Sequence, residues 1–251
     1  MSQEPENWSD APASVEPHED EAHVWCASLE PPAARLATCL SLLAPDERER
    51  AARFHFEKDH RHFTVARAVL RDVLARYLKR DPAALGFTYN EYGKPELERA
   101  DERPVLHFNM SHAHGVALCA LTYGREVGVD VEFLREEFAS LDVARSFFSR
   151  AEVEMLEALP VEQRTRGFFN CWTRKEAYIK ALGEGLSHPL DRFAVTLAPR
   201  ERARFLSIDD DPQEVARWSM FALPAPEENY AAALVIEGTV RSLKLWRYAW
   251  S

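Results

Sequence analysis

Val127-Gly128-Val129-Asp130-Val131-Glu132-Phe133, together with the later run Trp172-Thr173-Arg174-Lys175-Glu176-Ala177-Tyr178-Ile179-Lys180, decides how this chain folds. The first run is rich in β-branched residues and reads as a strand. On a strand Asp130 and Glu132 project to one face, and Val129 and Val131 to the other. Two carboxylates then share one small space, where full ionisation is disfavoured unless a cation or basic group compensates. Hard oxygen donors of this kind suit Mg²⁺; read alone, the pair is also compatible with a solvated strand face. In the second run Trp172, Glu176 and Lys180 lie at i, i+4 and i+8, one side of a helix. As a surface ion pair, Glu176 and Lys180 would contribute only a few tenths of a kcal/mol. Phe168, Cys171, Ile179 and Leu182 make the same helix apolar over much of its surface, so it is expected to pack inside, where a carboxylate needs a partner.

Working outward, His23 to Leu29 reads as a strand and Pro45-Asp46-Glu47 as an acidic helix start. From Glu57 to Arg80 the residues Ala66, Val69, Leu70, Val73, Leu74, Tyr77 and Leu78 recur at spacings of three and four, a helix stripe that Asp81-Pro82 ends. The turn Glu91-Tyr92-Gly93-Lys94-Pro95 precedes three β-like runs, Val105 to Met110, Val116 to Tyr123 and Val127 to Phe133, expected to be neighbouring antiparallel strands. Ser149-Arg150-Ala151-Glu152 has the form of a capping box opening a helix to about Leu159, and a second helix is expected from Val161 to Leu182, stopped by Gly183. Strands and a short helix finish the chain. The order strand, helices, strands thus occurs twice, which predicts an α+β fold of two similar halves in pseudo-twofold arrangement, although no residue-level repeat accompanies it. The expected division is an acidic disordered tail over 1–22, a first half over 23–125 and a second half over 126–251 that carries the metal site.

The chain has 251 residues, 46% hydrophobic and 29% charged, enough for a large core. Its formal charge of −10 is uneven: residues 1–22 hold seven acids and no Lys or Arg, leaving −3 for the remainder. That balance argues against nucleic acid as a partner and leaves room for a local basic pocket that takes one small phosphorylated ligand. No stretch reaches the roughly 18 to 20 apolar residues of a membrane span and no signal-peptide pattern opens the chain, so a cytoplasmic protein is expected. Cys26, Cys39, Cys119 and Cys171 lack C-x-x-C spacing and read as buried thiols.

Ser111-His112 invites a hydrolase reading, but adjacent strand residues point to opposite faces, so His112 cannot easily act as base for Ser111. His114 shares the side of His112, yet a third metal ligand of matching spacing is missing. The nucleophile elbow and the Gly-rich phosphate loops are absent, so phosphate binding must come from side chains.

In this order the motifs Tyr92-Gly93-Lys94-Pro95, Phe108-Asn109-Met110-Ser111-His112, Gly128-Val129-Asp130-Val131-Glu132 and Trp172 to Lys180, running on into Gly183-Glu184-Gly185-Leu186, resemble the 4′-phosphopantetheinyl transferases of the larger, surfactin-type class. The match spans residues 91–195; the segment around Arg53-Phe54 resembles the family more weakly. The resemblance implies transfer of the phosphopantetheine arm of coenzyme A to a serine of an apo acyl or peptidyl carrier protein, with release of 3′,5′-ADP. It implies Mg²⁺ on Asp130, Glu132 and Glu176, with Glu176 also the base for the serine, directly or through a metal-bound water, and Lys180 at the pyrophosphate. It implies coenzyme A contacts at Lys94, Ser111 and His112, the last two near the 3′-phosphate, and a basic residue before the first long helix. Glu47 falls where that cation is expected, which leaves Arg48, Arg50 and Arg53 as alternatives. A monomer is expected. Two other readings stay open: a Mg²⁺-dependent coenzyme A pyrophosphohydrolase, and a non-catalytic module that binds carrier protein.

Overall fold

The structure is a computed structural model that describes residues 7–12, 14–15, 18–98 and 105–250. The first half opens with β1 (Ser9–Asp10) and β2 (Glu21–Ser28), continues through α1 (Leu36–Leu42), α2 (Pro45–Ala52) and α3 (Glu57–Leu78), and then forms β3 (Phe87–Tyr89), β4 (Pro95–Leu97), β5 (Leu106–Ala113) and β6 (Val116–Tyr123). The second half begins with β7 (Val127–Phe133) and α4 (Leu141–Phe147), α5 (Arg150–Ala158) and α6 (Val161–Leu182). It continues with β8 (Phe193–Val195), β9 (Phe205–Ile208), α7 (Pro212–Arg217), β10 (Trp218–Ala222), β11 (Tyr230–Glu237) and β12 (Ser242–Arg247). Each half therefore runs strand, three helices, short hairpin, two long strands. The sheets repeat too: β2–β6–β5 in the first half and β7–β11–β10 in the second, all antiparallel. Both third helices have 22 residues and end in a left-handed residue, Lys79 at φ 52° and Gly183 at φ 76°. The α+β fold of two similar halves is a repeat of topology.

The layers are helix, sheet, sheet, helix. Trp25, Ala27, Ala117, Cys119 and Leu121 face α3, while Val24, Cys26, Leu118 and Ala120 face the other sheet and meet Val127, Val129, Val131, Leu234 and Ile236. Ala231, Ala233 and Val235 turn outward to α6. A strand covered on both faces carries no polar alternation, which explains the uninterrupted apolar runs of β6 and β11. All four cysteines are buried and free. Among the described residues no helix is long and apolar enough to cross a membrane.

Three expectations change. β7 is not a sheet neighbour of β6; it pairs with β11, a partner a hundred residues away that local pattern does not reveal. The second half is not self-contained, because β12 crosses back and pairs in parallel with β2. Within the stretch expected to be disordered, Ser9 and Asp10 pair with β12 and the Trp8 Nε1–H donates to Pro224 O at 3.1 Å. Trp8 and Val15 pack on the core clusters and supply the apolar anchors that the acidic composition concealed.

Candidate functional site

Gly128 shares a strand face with Asp130 and Glu132, and that face meets α6. A Cβ on Gly128 would stand 2.0 Å from Ala177 O and 2.4 Å from Ala181 N. Only a residue without a side chain lets helix backbone and strand backbone approach this closely. The result is that the α6 stripe lies over the acid pair. Lys180 Nζ donates to Asp130 Oδ1 at 2.5 Å and to Ser111 Oγ at 3.0 Å, and Ser111 Oγ donates to Asp130 Oδ1 at 2.8 Å. Lys180 thus pairs with Asp130 on the neighbouring strand instead of Glu176 on its own helix.

Ser111 reaches this cluster from β5, at the edge of the other sheet. Two residues earlier, Asn109 Oδ1 accepts the Val129 N–H at 2.9 Å. β5 and β7 are therefore joined by side chains where no backbone ladder runs, and both Asn109 and Ser111 are buried. A buried N–H left without this partner would cost about 1–3 kcal/mol. Gly128 and Asn109 are the residues that sequence reasoning did not single out. The available signals were the alternation of Asn109 with Ser111 on β5 and, for Gly128, a glycine inside a strand, which often marks a close backbone approach.

The electrostatics are those of a site with too much negative charge. Burial first, then Asp130, push Glu176 up to about 7. Glu132 is likewise raised to about 7, by burial and by Asp130, with Glu176 adding to the effect. Burial opposes the charge on Lys180, but Asp130, Glu176 and Glu132 more than offset it and hold its pKa above the ordinary value. Asp130 is 2% exposed, and its Oδ2 is buried with no hydrogen-bond partner among the described residues. Among the described residues no three His, Cys, Asp or Glu side chains already stand as a closed ligand set; the cation meeting Asp130 is Lys180. An orphaned carboxylate oxygen beside two acids that resist ionisation nevertheless fits a divalent ion.

The remaining expected site residues separate into two groups. His112 is exposed on the α3 side of β5, opposite Ser111. Partial desolvation, then Lys180 and His62, hold its pKa below the ordinary value. Arg48 and Arg50 lie exposed on α2 and Arg53 just past its end: Arg48 donates to Ser41 O, Arg50 lies over Phe63, and Arg53 pairs with Glu49. None of these partners belongs to the cluster. Glu47 has an account of its own. Its carboxylate is buried, accepts the Ala44 N–H at 2.9 Å as the third residue of α2, and binds Arg67 and Arg71. Burial disfavours its charge, but Arg71 and Arg67 bring its pKa below the usual carboxylate value. An acid stands there because the buried Arg71 and the half-buried Arg67 require one. The Lys94 ammonium is held by Glu126 Oε2 at 2.9 Å and Ala181 O at 3.0 Å.

Residues 27–122 match the family described as 4′-phosphopantetheinyl transferase, N-terminal, and residues 126–235 match the 4′-phosphopantetheinyl transferase superfamily. Over 241 residues the chain is 36% identical to the 4′-phosphopantetheinyl transferase HetI of Nostoc sp., covering 96% of this chain and 98% of the relative. It is 34% identical over 158 residues to the 4′-phosphopantetheinyl transferase Sfp of Bacillus subtilis, covering 63% of this chain and 68% of that one. The chain belongs to the 4′-phosphopantetheinyl transferase superfamily, in its Sfp-like class.

Proposed function

We propose that this chain transfers the 4′-phosphopantetheine arm of coenzyme A to a serine hydroxyl of an apo carrier protein, at the seam between β5, β7 and α6. The observation that carries the reading is the convergence of Asp130, Glu132, Glu176 and Lys180, with Asp130 Oδ2 buried and unpartnered among the described residues. The serine oxygen bonds to the phosphorus that bears the pantetheine, the bridging P–O bond of the pyrophosphate breaks, and 3′,5′-ADP leaves with the electron pair. The serine proton passes to Glu176, whose pKa of about 7 suits a base working near neutrality. Lys180 holds charge that grows on the leaving phosphate, and Ser111 fixes Lys180 against Asp130. Asp130, Glu132 and Glu176 would hold Mg²⁺, which supplies charge neutralisation at the pyrophosphate when bound. His112, with His62 on α3 beside it, offers imidazole N–H donors for the 3′-phosphate, with Arg48, Arg50 and Arg53 as the cationic candidates. One chain provides both sides of the seam, so a monomer suffices.

Intact mass spectrometry of an apo carrier incubated with coenzyme A, Mg²⁺ and this protein tests the reading. The carrier is expected to gain one phosphopantetheine, and Glu176→Gln and Asp130→Ala are expected to abolish the gain. Release of 3′,5′-ADP without carrier would instead make the protein a pyrophosphohydrolase, and carrier binding without a mass change would make it a binding module.

A further inference from the structure

The last turn of α6 is finished by residues of the other half. A helix leaves its final carbonyls without intrahelical partners, and its C-terminal end carries partial negative charge. Here the Gly183 N–H closes on Ile179 O at 3.0 Å, while Ala181 O accepts from Lys94 Nζ at 3.0 Å and Gly183 O accepts from Asn90 Nδ2 at 2.9 Å. Both donors come from the turn between β3 and β4. Asn90 Oδ1 also accepts the N–H groups of Tyr92 at 3.0 Å and Lys94 at 2.9 Å, so one side chain shapes the turn and grips the helix. Glu126, on the approach to β7, holds the Lys94 ammonium at 2.9 Å and pairs with His107 on β5 at 3.1 Å. The side chain of Lys94 is 12% exposed, whereas the surface pair Arg53–Glu49 is 72% and 70% exposed. Gly183 permits the contact, since a Cβ there would lie 3.1 Å from both Asn90 Nδ2 and Lys94 Cδ and would need a left-handed L residue.

We propose that Asn90 and Lys94 are positioning residues: they clamp the end of α6 and the start of β7 together, and so set Lys180, one residue before Ala181, over Asp130. Lys94 acts through the helix, by its ammonium on Ala181 O and Glu126. The catalytic consequence rests on the proposed transfer, whereas the clamp itself belongs to the free protein.

Two measurements on Lys94→Met, Lys94→Arg, Asn90→Ala and Glu126→Gln test it, after far-UV circular dichroism establishes that each variant is folded. In hydrogen exchange of the free protein, amides of residues 180–186 exchange faster in Lys94→Met and Asn90→Ala than in wild type; unchanged protection there overturns the clamp. In carrier modification, Lys94→Met lowers kcat on the order of 10-fold to 100-fold with little change in KM for coenzyme A. Lys94→Arg restores most of the loss, and Lys94→Met combined with Glu126→Gln is no worse than Lys94→Met alone. A raised KM at unchanged kcat overturns the proposal and makes Lys94 a coenzyme A ligand. If the wild type modifies no carrier, the transfer reading fails while the exchange result still decides the clamp.

Discussion

The two halves place the same device at the same point of their topology and use the neighbouring turn differently. In the first half Glu47, third residue of α2, binds Arg71 of α3, which also donates to Pro82 O and Leu85 O and lies over Phe87, the first residue of β3. In the second half Glu152, third residue of α5, pairs with Lys175 of α6 at 2.8 Å. Lys175 donates to Leu190 O and Phe193 O and lies over Phe193, the first residue of β8. Both acids close their own helix start, Glu47 on Ala44 and Glu152 on Ser149. Counted back from the last helix residue, Arg71 and Lys175 hold the same position. So do Asp72 and Glu176, and Arg76 and Lys180.

At that second pair of positions the halves part. Asp72 and Arg76 satisfy each other at 2.7 Å, Arg76 lies over Trp25 of β2, and Tyr248 at the chain's end donates its hydroxyl to Asp72 at 3.0 Å. Charge is balanced and an aromatic segment covers it. On α6 the equivalent Glu176 is left without Lys180, which is drawn to Asp130, and the strand below carries acids where β2 carries Trp25. One scaffold, repeated, thus gives a closed structural end in one half and an electrostatically strained polar seam in the other. Strain of that kind collects at functional sites.

The largest effect expected is on activity. Glu176→Gln should lower carrier modification by about 10²-fold to 10⁴-fold, whereas Asp72→Asn, its counterpart, should stay within about twofold of wild type. Equal losses in steady-state assays would erase the distinction between the halves. Next come the buried ion pairs. Glu152→Leu should reduce the free energy of unfolding by about 3–5 kcal/mol, because Lys175 is fully buried and left uncompensated. Arg71→Met should also destabilise, by a smaller amount because Arg67 still pairs with Glu47, and urea titrations that find one of them neutral would break the equivalence. Gly128→Ala should cost about 1–3 kcal/mol and lower activity as well, since the added carbon meets helix backbone; unchanged melting and activity would show that α6 does not rest there.

The smallest effect concerns pH. The carboxyls of Glu132 and Glu176 rise from an ordinary 4.5 to about 7 in the folded, metal-free chain. Their contribution to stability is therefore full below 4.5 and is lost as pH rises through 7. Glu132→Gln should melt higher than wild type above pH 7, and the advantage should vanish near pH 4.5. A variant that melts lower at pH 8 would contradict the charge crowding.

Much of this was legible in the chain. The strand Val127 to Phe133 and the helix Val161 to Leu182 have the bounds read from their periodicity and stops, because alternation, a capping box and Gly183 are local signals. The shared face of Asp130 and Glu132 follows from strand geometry alone. What pattern could not supply was the partner across space. Glu152 was visible as a capping residue, but its bond to Lys175 depends on how two helices pack. Glu47 looked like a misplaced acid until Arg67 and Arg71 came beside it. Lys94 carried the resemblance's expectation of a coenzyme A contact, and only the fold brings it against the end of α6. The sheet membership of β7 and β12 likewise depends on contacts between distant segments, which carry no local signature.

The most direct measurement is a crystal structure of the protein with coenzyme A and Mg²⁺. A divalent ion held by Asp130 Oδ2, with Glu132 and Glu176 around it and the pyrophosphate against Lys180, is the predicted result. An ion or pyrophosphate bound away from Asp130, with Asp130 Oδ2 still unpartnered, would contradict it.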